Sequence, residues 1–210
     1  MRGTDWDHNA WYHRLLLRQV PSRAERVLDV GCGAGALARR LAAVVPQVDA
    51  VDRSPDMVAA ARSAAPPHLT VHLADVLSAD LPEGAYDAVI SSAVLHHLPL
   101  ADALPRMARW LKPGGVLAAV AVPRVDLPRE LPVELAASAT HHGLGLALAG
   151  LRRVTGAGLL GHEPTHDAMP VADSTLTTRQ VRAAVPELLP GARVRRLLLW
   201  RYLLTWQKPR

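Results

Sequence analysis

Short apolar runs alternate with longer amphipathic segments along the first two thirds of the chain. Each run is bounded by glycine, proline or an acidic residue, which is typical of buried strands. Five strands are predicted in this way: Arg26–Val30, Val48–Asp52, Leu69–Ala74, Tyr86–Ser91 and Gly115–Val122. Because helices separate them, we expect parallel strands with right-handed crossovers, which is the pattern of an open, doubly wound α/β sheet.

The segments between these strands carry helix signals. A helix is predicted from Gly35 to Val45, and Pro46 ends it. Ser54 is a typical N-cap for the next helix, with Pro55 in its first turn. A third helix is predicted over Asp102–Leu111, and its internal proline requires that it begin close to that residue.

The two ends of the chain predict further elements around this core. Asp7–Arg18 has the pattern of an amphipathic helix, Leu131–Leu151 of a broken helix, and Thr178 is expected to cap a helix that reaches about Val185. The last residues are strand-like. We therefore predict one domain over 1–210, with a lid helix in 1–25, a core in 26–122, a cover in 123–192 and terminal strands in 193–208.

Composition limits the classes of protein that remain. Half of the 210 residues are hydrophobic, which favours a globular domain, and a single cysteine, Cys32, excludes an internal disulfide or a zinc site with several thiolates. No apolar stretch reaches the roughly 18 residues of a spanning helix. The N-terminus does not resemble a signal peptide, so we expect a cytoplasmic protein without a membrane partner. The net charge of +5 is weak evidence for a nucleic-acid partner.

Three glycines follow the first strand directly: Gly31, Gly33 and Gly35. A glycine-rich turn between a strand and a helix exposes backbone N–H groups, which makes it a typical nucleotide site. Gly31, Gly33 and Ala36 fit the dinucleotide fingerprint, with Asp52 about 20 residues further on. This motif alone leaves a nicotinamide cofactor open.

Three further features change this interpretation. Asp29 precedes the glycine loop, where a carboxylate repels a pyrophosphate but suits an ammonium group. Asp75 follows the third strand, and the sequence LKPGG precedes the fifth. At these positions, over roughly Val27–Val122, the chain resembles the class I S-adenosylmethionine-dependent methyltransferases. The resemblance implies a Rossmann-like, mostly parallel seven-stranded sheet with an antiparallel last strand, and S-adenosyl-L-methionine as the cofactor.

The resemblance also implies roles for single residues. Asp29, Gly31 and Gly33 would hold the methionine moiety, Gly35 would open the helix, and Cys32 lies in the same loop as a small residue. Towards the nucleoside, the implied contacts are Asp52 with the ribose, Arg53 beside the adenine, and Asp75 and the Val76 backbone with the adenine amino group. Near the sulfur, the expected residues are Ser91 and Ser92. From the N-terminal helix, Tyr12 and His13 are expected to close over the site, with His8 and Trp6 behind them.

Two adjacent histidines, His96 and His97, follow the fourth strand near the expected sulfur position. Histidine can deprotonate a hydroxyl or an ammonium group near neutral pH, so either ring is a candidate general base. The alternative is that one ring caps the next helix or contacts the cofactor. His162 and His166 have a metal-like spacing, but Gly161 and Pro164 argue against a helix, so no metal site is expected.

The leading interpretation is a methyltransferase acting on an oxygen or nitrogen of a small-molecule acceptor. An RNA methyltransferase is the first alternative, although no RNA-binding domain is visible and SSAV follows the fourth strand where an adenine-specific enzyme would carry Asn/Asp-Pro-Pro-Tyr. A nicotinamide-dependent oxidoreductase is the second, although 210 residues leave little room for a substrate domain. A regulator that retains the fold without catalysis is the third. The pattern does not specify the acceptor or the oligomeric state.

Overall fold

The described part of the chain, residues 8–127, 129–155 and 174–210 of a computed structural model, forms a seven-stranded sheet in the order β3-β2-β1-β4-β5-β7-β6. Neighbouring strands among the first five are parallel, and β7 pairs antiparallel with both β5 and β6. The strands are β1 Arg26–Val30, β2 Gln47–Asp52, β3 Leu69–Leu73, β4 Tyr86–Ser92, β5 Leu111–Ala121, β6 Arg193–Leu197 and β7 Arg201–Gln207. The predicted sheet with an antiparallel last strand is confirmed.

Helices surround the sheet, and a 3-10 turn at Leu95–His97 follows β4. The helices are α1 His8–Leu17, α2 Ala36–Ala42, α3 Pro55–Ser63, α4 Leu100–Trp110, α5 Leu131–Thr155 and α6 Thr178–Leu188. Ser54 caps α3 as predicted, since its hydroxyl accepts a hydrogen bond from the Met57 N–H. The cap of α6 is Thr177 rather than Thr178, because Thr177 forms a reciprocal capping box with Gln180.

Two boundaries near the fifth strand differ from the prediction. β5 begins at Leu111, four residues before Gly115, because Leu111 already pairs with Tyr86 before an irregularity in the register. α4 begins at Leu100, earlier than the predicted Asp102, and it continues through Pro105. Strand pairing, which lies outside any local sequence window, determines where β5 starts.

The core lies on both faces of the sheet, since successive residues of each strand alternate between the two faces. One face carries a buried cluster that includes Val89 of β4 with Leu104 and Met107 of α4, and the other carries a cluster that includes Ile90 with Leu37 and Leu41 of α2. Because β1 to β5 are parallel, their carboxyl ends meet at one edge of the sheet, where ligand sites form in this type of fold.

Within the described ranges, no helix is long and apolar enough to cross a membrane, and no cluster of side chains could hold a metal ion. Several sequence predictions fall outside the described residues: Trp6, the side chain of His8, and His162 with His166. The division of the chain into a lid, a core, a cover and terminal strands stays a prediction.

Candidate active site

A cavity of about 180 Å³ lies at the carboxyl edge of the parallel strands. It brings together eleven of the residues singled out from sequence: His13, Asp29, Gly31, Cys32, Gly33, Asp52, Arg53, Asp75, Val76, Ser92 and His97. Four others do not line it: Tyr12, Gly35, Ser91 and His96. The parallel topology explains most of this arrangement, since the residues come from the carboxyl-terminal parts of β1, β2 and β4 and from the segments that follow β1 to β4. His13 comes from α1.

The glycine loop fits against the segment that follows β4. Gly31 has φ +70°, and a Cβ atom placed on it would lie 2.1 Å from a methyl carbon of Val94. The N–H groups of Gly31 and Cys32 both donate to the Val51 carbonyl, at 2.8 and 3.1 Å. This turn therefore requires glycine at position 31 for two reasons, namely the left-handed backbone and the close approach of Val94.

Gly35 acts on the other side of the loop, where it is the N-cap of α2 with φ +83°. A Cβ there would lie 3.1 Å from the Cβ of Ala61 in α3. Gly35 therefore permits close contact between α2 and α3 rather than forming part of the cavity wall.

Asp52, the last residue of β2, holds the glycine loop through its carboxylate. Its two oxygens accept hydrogen bonds from the backbone N–H groups of Gly33 and Ser54, each at 2.9 Å. The same carboxylate lines the cavity. Asp52 thus stabilises the loop and presents a hydrogen-bond acceptor to a ligand.

Asp29 is almost completely buried in β1, at 1% exposure, yet it also lines the cavity. Neither of its oxygens accepts a hydrogen bond of ordinary geometry from the described residues. Burial and, to a smaller extent, the negative charge of Asp52 raise the pKa of Asp29 to about 7. The backbone N–H of Ala38 lowers this pKa, but its effect is the smallest of the three. A buried carboxylate that lacks a well-formed hydrogen bond is a costly arrangement that a cationic ligand would relieve.

Asp75 and Val76, beyond β3, complete this side of the cavity. One oxygen of Asp75 accepts a hydrogen bond from the Leu77 N–H at 2.8 Å. Val76 is buried beside it. The two acids at the ends of β2 and β3 thus face the same cavity from neighbouring strands.

The two serines that end β4 have different surroundings. The Ser91 hydroxyl donates to the Val30 carbonyl at 3.0 Å and is buried between the strands. The Ser92 hydroxyl oxygen is buried without a partner among the described residues, and Ser92 lines the cavity. The next residue, Ala93, has φ +59°, an uncommon backbone for a residue with a Cβ, and it redirects the chain over the cavity.

The two adjacent histidines, like the two serines, differ in whether they line the cavity. Their ring centroids are 3.9 Å apart, but only His97 lines the cavity. Burial, and then the charge of Arg53, hold the pKa of His97 below its usual value. Burial, followed by the charges of His97 and Arg201, lowers the pKa of His96 to about 3. Both rings are therefore neutral at pH 7.

The N-terminal helix α1 covers one side of the cavity through two residues one turn apart, Asn9 and His13. Tyr12 points elsewhere, and its hydroxyl donates to the Leu198 carbonyl at 2.6 Å.

Cys32 stays a thiol at neutral pH, because burial and then the charge of Asp29 raise its pKa far above the usual value. This argues against Cys32 as a thiolate nucleophile.

Comparison with known proteins agrees with this geometry. A family model described as a methyltransferase domain matches residues 27–115. An uncharacterized methyltransferase of Mycobacterium tuberculosis is 38% identical over 207 residues, covering 97% of this chain and 98% of the relative. The chain belongs to the class I S-adenosylmethionine-dependent methyltransferases.

Two further comparisons are more limited. One matches only part of this methyltransferase in sequence, and the other matches its fold. A ubiquinone biosynthesis O-methyltransferase of Xanthomonas campestris is 41% identical over 98 residues, covering 44% of this chain and 41% of the relative. The N-methyltransferase NodS of Bradyrhizobium japonicum superimposes with a TM-score of 0.57 at 18% identity, covering 96% of each chain. The second comparison shows a shared fold.

Family membership confirms that this methyltransferase uses S-adenosyl-L-methionine, as predicted. The cavity fits this group by its own chemistry. The unpartnered carboxylate of Asp29 suits a cationic group, and the exposed edges of Asp52 and Asp75 offer acceptors for hydroxyl and amino groups.

Sequence reasoning missed several residues of the methyltransferase cavity, among them Asn9, Met57, Val94 and Leu98. Helical spacing carries a signal for Asn9, which precedes His13 by four residues and so shares its face of α1. Val94 has no local signal, because its role is to fill the space that Gly31 leaves open.

Proposed function

We propose that this methyltransferase transfers a methyl group to an oxygen or a nitrogen of a small-molecule acceptor, with His97 as the general base. The observation that carries the proposal is the placement of a neutral His97 imidazole on a small cavity that three carboxylates also line. The bound cofactor supplies an activated methyl group on a sulfonium centre.

The residues of this chain divide the remaining work. Asp29 binds the ammonium group of the methionine moiety, with Gly31, Cys32 and Gly33 forming the loop beside it. Asp52 binds the ribose hydroxyls, Asp75 and the Val76 backbone bind the adenine, and Arg53 lies beside it. Positioning of donor and acceptor in line supplies on the order of 7–11 kcal/mol of the barrier in such reactions.

His97 acts when the acceptor still carries its proton. An imidazole nitrogen accepts the proton from the acceptor hydroxyl or ammonium group, which contributes about 10²- to 10⁴-fold in rate. Its lowered pKa keeps that nitrogen free at neutral pH. His96, with a pKa of about 3 and no place on the cavity wall, supports the adjacent ring. The Ser92 hydroxyl is available to bind the acceptor.

Charge distribution supports a small acceptor over RNA. Of the four arginines of β6 and β7, Arg196 is paired with Glu130 and Glu134, and Arg201 donates to Asn9. Only Arg193 and Arg195 are exposed, on β6. These four side chains therefore do not form the continuous basic surface that phosphate contacts require. The partial relative named as an O-methyltransferase supports an oxygen acceptor.

The test has two stages. Calorimetry with S-adenosylmethionine, S-adenosylhomocysteine and NAD should give binding of the first two alone. Release of S-adenosylhomocysteine is then measured with phenols, hydroxy acids, primary amines and bulk RNA. Turnover with a hydroxyl or amine compound supports the proposal, and turnover with RNA alone, with a steep salt dependence of binding, would overturn it.

A further inference from the structure

The lid helix α1 reaches the cavity through Asn9 and His13, and its position depends on hydrogen bonds from the other end of the chain. The Tyr12 hydroxyl donates to the Leu198 carbonyl at 2.6 Å, and Arg201 donates to Oδ1 of Asn9 at 3.0 Å. Leu198 belongs to the connection between β6 and β7, and Arg201 is the first residue of β7. The Tyr12 hydrogen bond therefore anchors α1 beside His13, which lines the cavity, and the Arg201 hydrogen bond holds the cavity residue Asn9 directly.

This connection has a backbone that its sequence does not favour. Leu199 and Trp200 have φ +55° and +58°, the left-handed region, and neither is glycine, asparagine or aspartate. Two consecutive residues of this kind persist only where surrounding contacts hold them, and such positions concentrate at functional sites. Leu199 is buried, at 1% exposure, which accounts for part of that restraint.

Glu134 of α5 provides a second restraint. Its two oxygens accept hydrogen bonds from the Trp200 indole N–H at 2.5 Å and from the Arg196 guanidinium at 2.8 Å. One carboxylate therefore binds the strand before the turn and the turn itself. A chain of contacts runs from α5 through the turn to α1 and ends at the cavity wall.

We propose that Glu134 and Tyr12 are positioning residues, which act through the strained turn at residues 198–200 to hold α1 closed over the cofactor. The left-handed turn directs the Leu198 carbonyl towards Tyr12, and Glu134 keeps the turn in that conformation. Loss of either contact releases α1, so that Asn9 and His13 leave the cavity wall more often and the cofactor dissociates faster.

This inference rests on the proposed function only through the cofactor, so its test needs no acceptor. Glu134→Gln and Tyr12→Phe are compared with wild type by calorimetry with S-adenosylmethionine and by hydrogen exchange followed by mass spectrometry. Glu187→Gln, an exposed substitution of the same chemistry on α6, is the matched control. Melting temperatures show that each variant is folded.

We expect each variant to raise the Kd for the cofactor about three- to tenfold, the range of one lost hydrogen bond. Amide exchange should increase in residues 8–17 and stay unchanged in β1 and β2, which a general loss of stability would not produce. The double variant should lose no more affinity than the weaker-binding single variant, because both act through one turn. The control should match wild type.

A wild-type Kd in either variant would overturn the inference, and so would unchanged exchange in α1 or fully additive losses in the double variant. If Glu134→Gln does not fold, Tyr12→Phe decides the question by itself, since it removes one hydroxyl. Failure of every small acceptor would instead refute the proposed function and leave the binding result standing.

Discussion

The carboxylate of Asp52 accepts a hydrogen bond from the backbone N–H of Gly33 at 2.9 Å, across 19 positions of sequence. This contact joins the end of β2 to the loop that follows β1. It makes the geometry of the glycine loop dependent on an acid that we also assign to the cofactor.

Replacing Asp52 should therefore affect binding more than a surface acid does. Asp52→Ala removes the loop contact and the proposed ribose contacts, so we expect a loss of cofactor affinity on the order of 10- to 100-fold, measured by calorimetry. Asp80→Ala, at an exposed position away from the cavity, is the control and should bind normally. Unchanged affinity in Asp52→Ala would contradict the assignment.

A comparison of two glycines with similar φ angles distinguishes the cost of backbone strain from the cost of a steric clash. Gly31 has φ +70° and lies against Val94, whereas Gly191 has φ +85° and nothing within 4 Å of an added Cβ. We expect Gly191→Ala to cost about 1 kcal/mol of unfolding free energy and Gly31→Ala about 2–4 kcal/mol, measured by urea denaturation. Val94→Ala should partly rescue the second variant, and equal costs for both glycines would argue against the contact.

The buried carboxylate of Asp29 should lower the free energy of unfolding, although it also binds the cofactor. Its pKa of about 7 exceeds the unfolded value of 3.8, so the folded state disfavours the charge and stability falls as pH rises from about 4 to 7. We expect Asp29→Asn to be more stable than wild type at pH 8, with the difference vanishing at pH 4, and to bind the cofactor weakly. Thermal unfolding across this pH range measures the first effect. Lower stability of the variant at pH 8 would refute it.

His97 should determine turnover with little effect on cofactor binding. His97→Asn is expected to lower kcat about 10²- to 10⁴-fold on an acceptor that carries its proton. Because burial lowers the His97 pKa, wild-type kcat/KM should begin to fall only below the usual histidine value of 6.5. A kcat for His97→Asn equal to that of His96→Asn would not support separate roles for the two rings.

His96 should instead influence stability in acid. Its pKa is about 3 when folded and 6.5 when unfolded, so the unfolded chain binds an extra proton between these values, and stability falls as pH decreases from 6.5. His96→Asn should reduce the pH slope of the unfolding free energy in this window by up to one proton. Chemical denaturation at pH 5 and pH 7 tests this, and an unchanged slope would contradict it.

The sequence by itself determined the architecture and the location of the site. The alternation of strands and helices implies a parallel sheet with one handedness, so Asp29, the glycine loop, Asp52 and Asp75 had to meet at one edge. Each of these sequence signals is local, and the right-handed crossover between parallel strands then places their ends at the same edge of the sheet.

Tertiary structure alone decided which neighbour reaches the cavity. Ser92 rather than Ser91, and His97 rather than His96, line it. The two serines point to opposite faces because they are successive residues of β4. The two histidines lie in a 3-10 turn after the left-handed Ala93, where strand alternation no longer applies. The contact of Tyr12 with Leu198 joins positions 186 residues apart. No local pattern encodes that hydrogen bond, since it exists only once β7 has paired with β5 and brought the turn to α1.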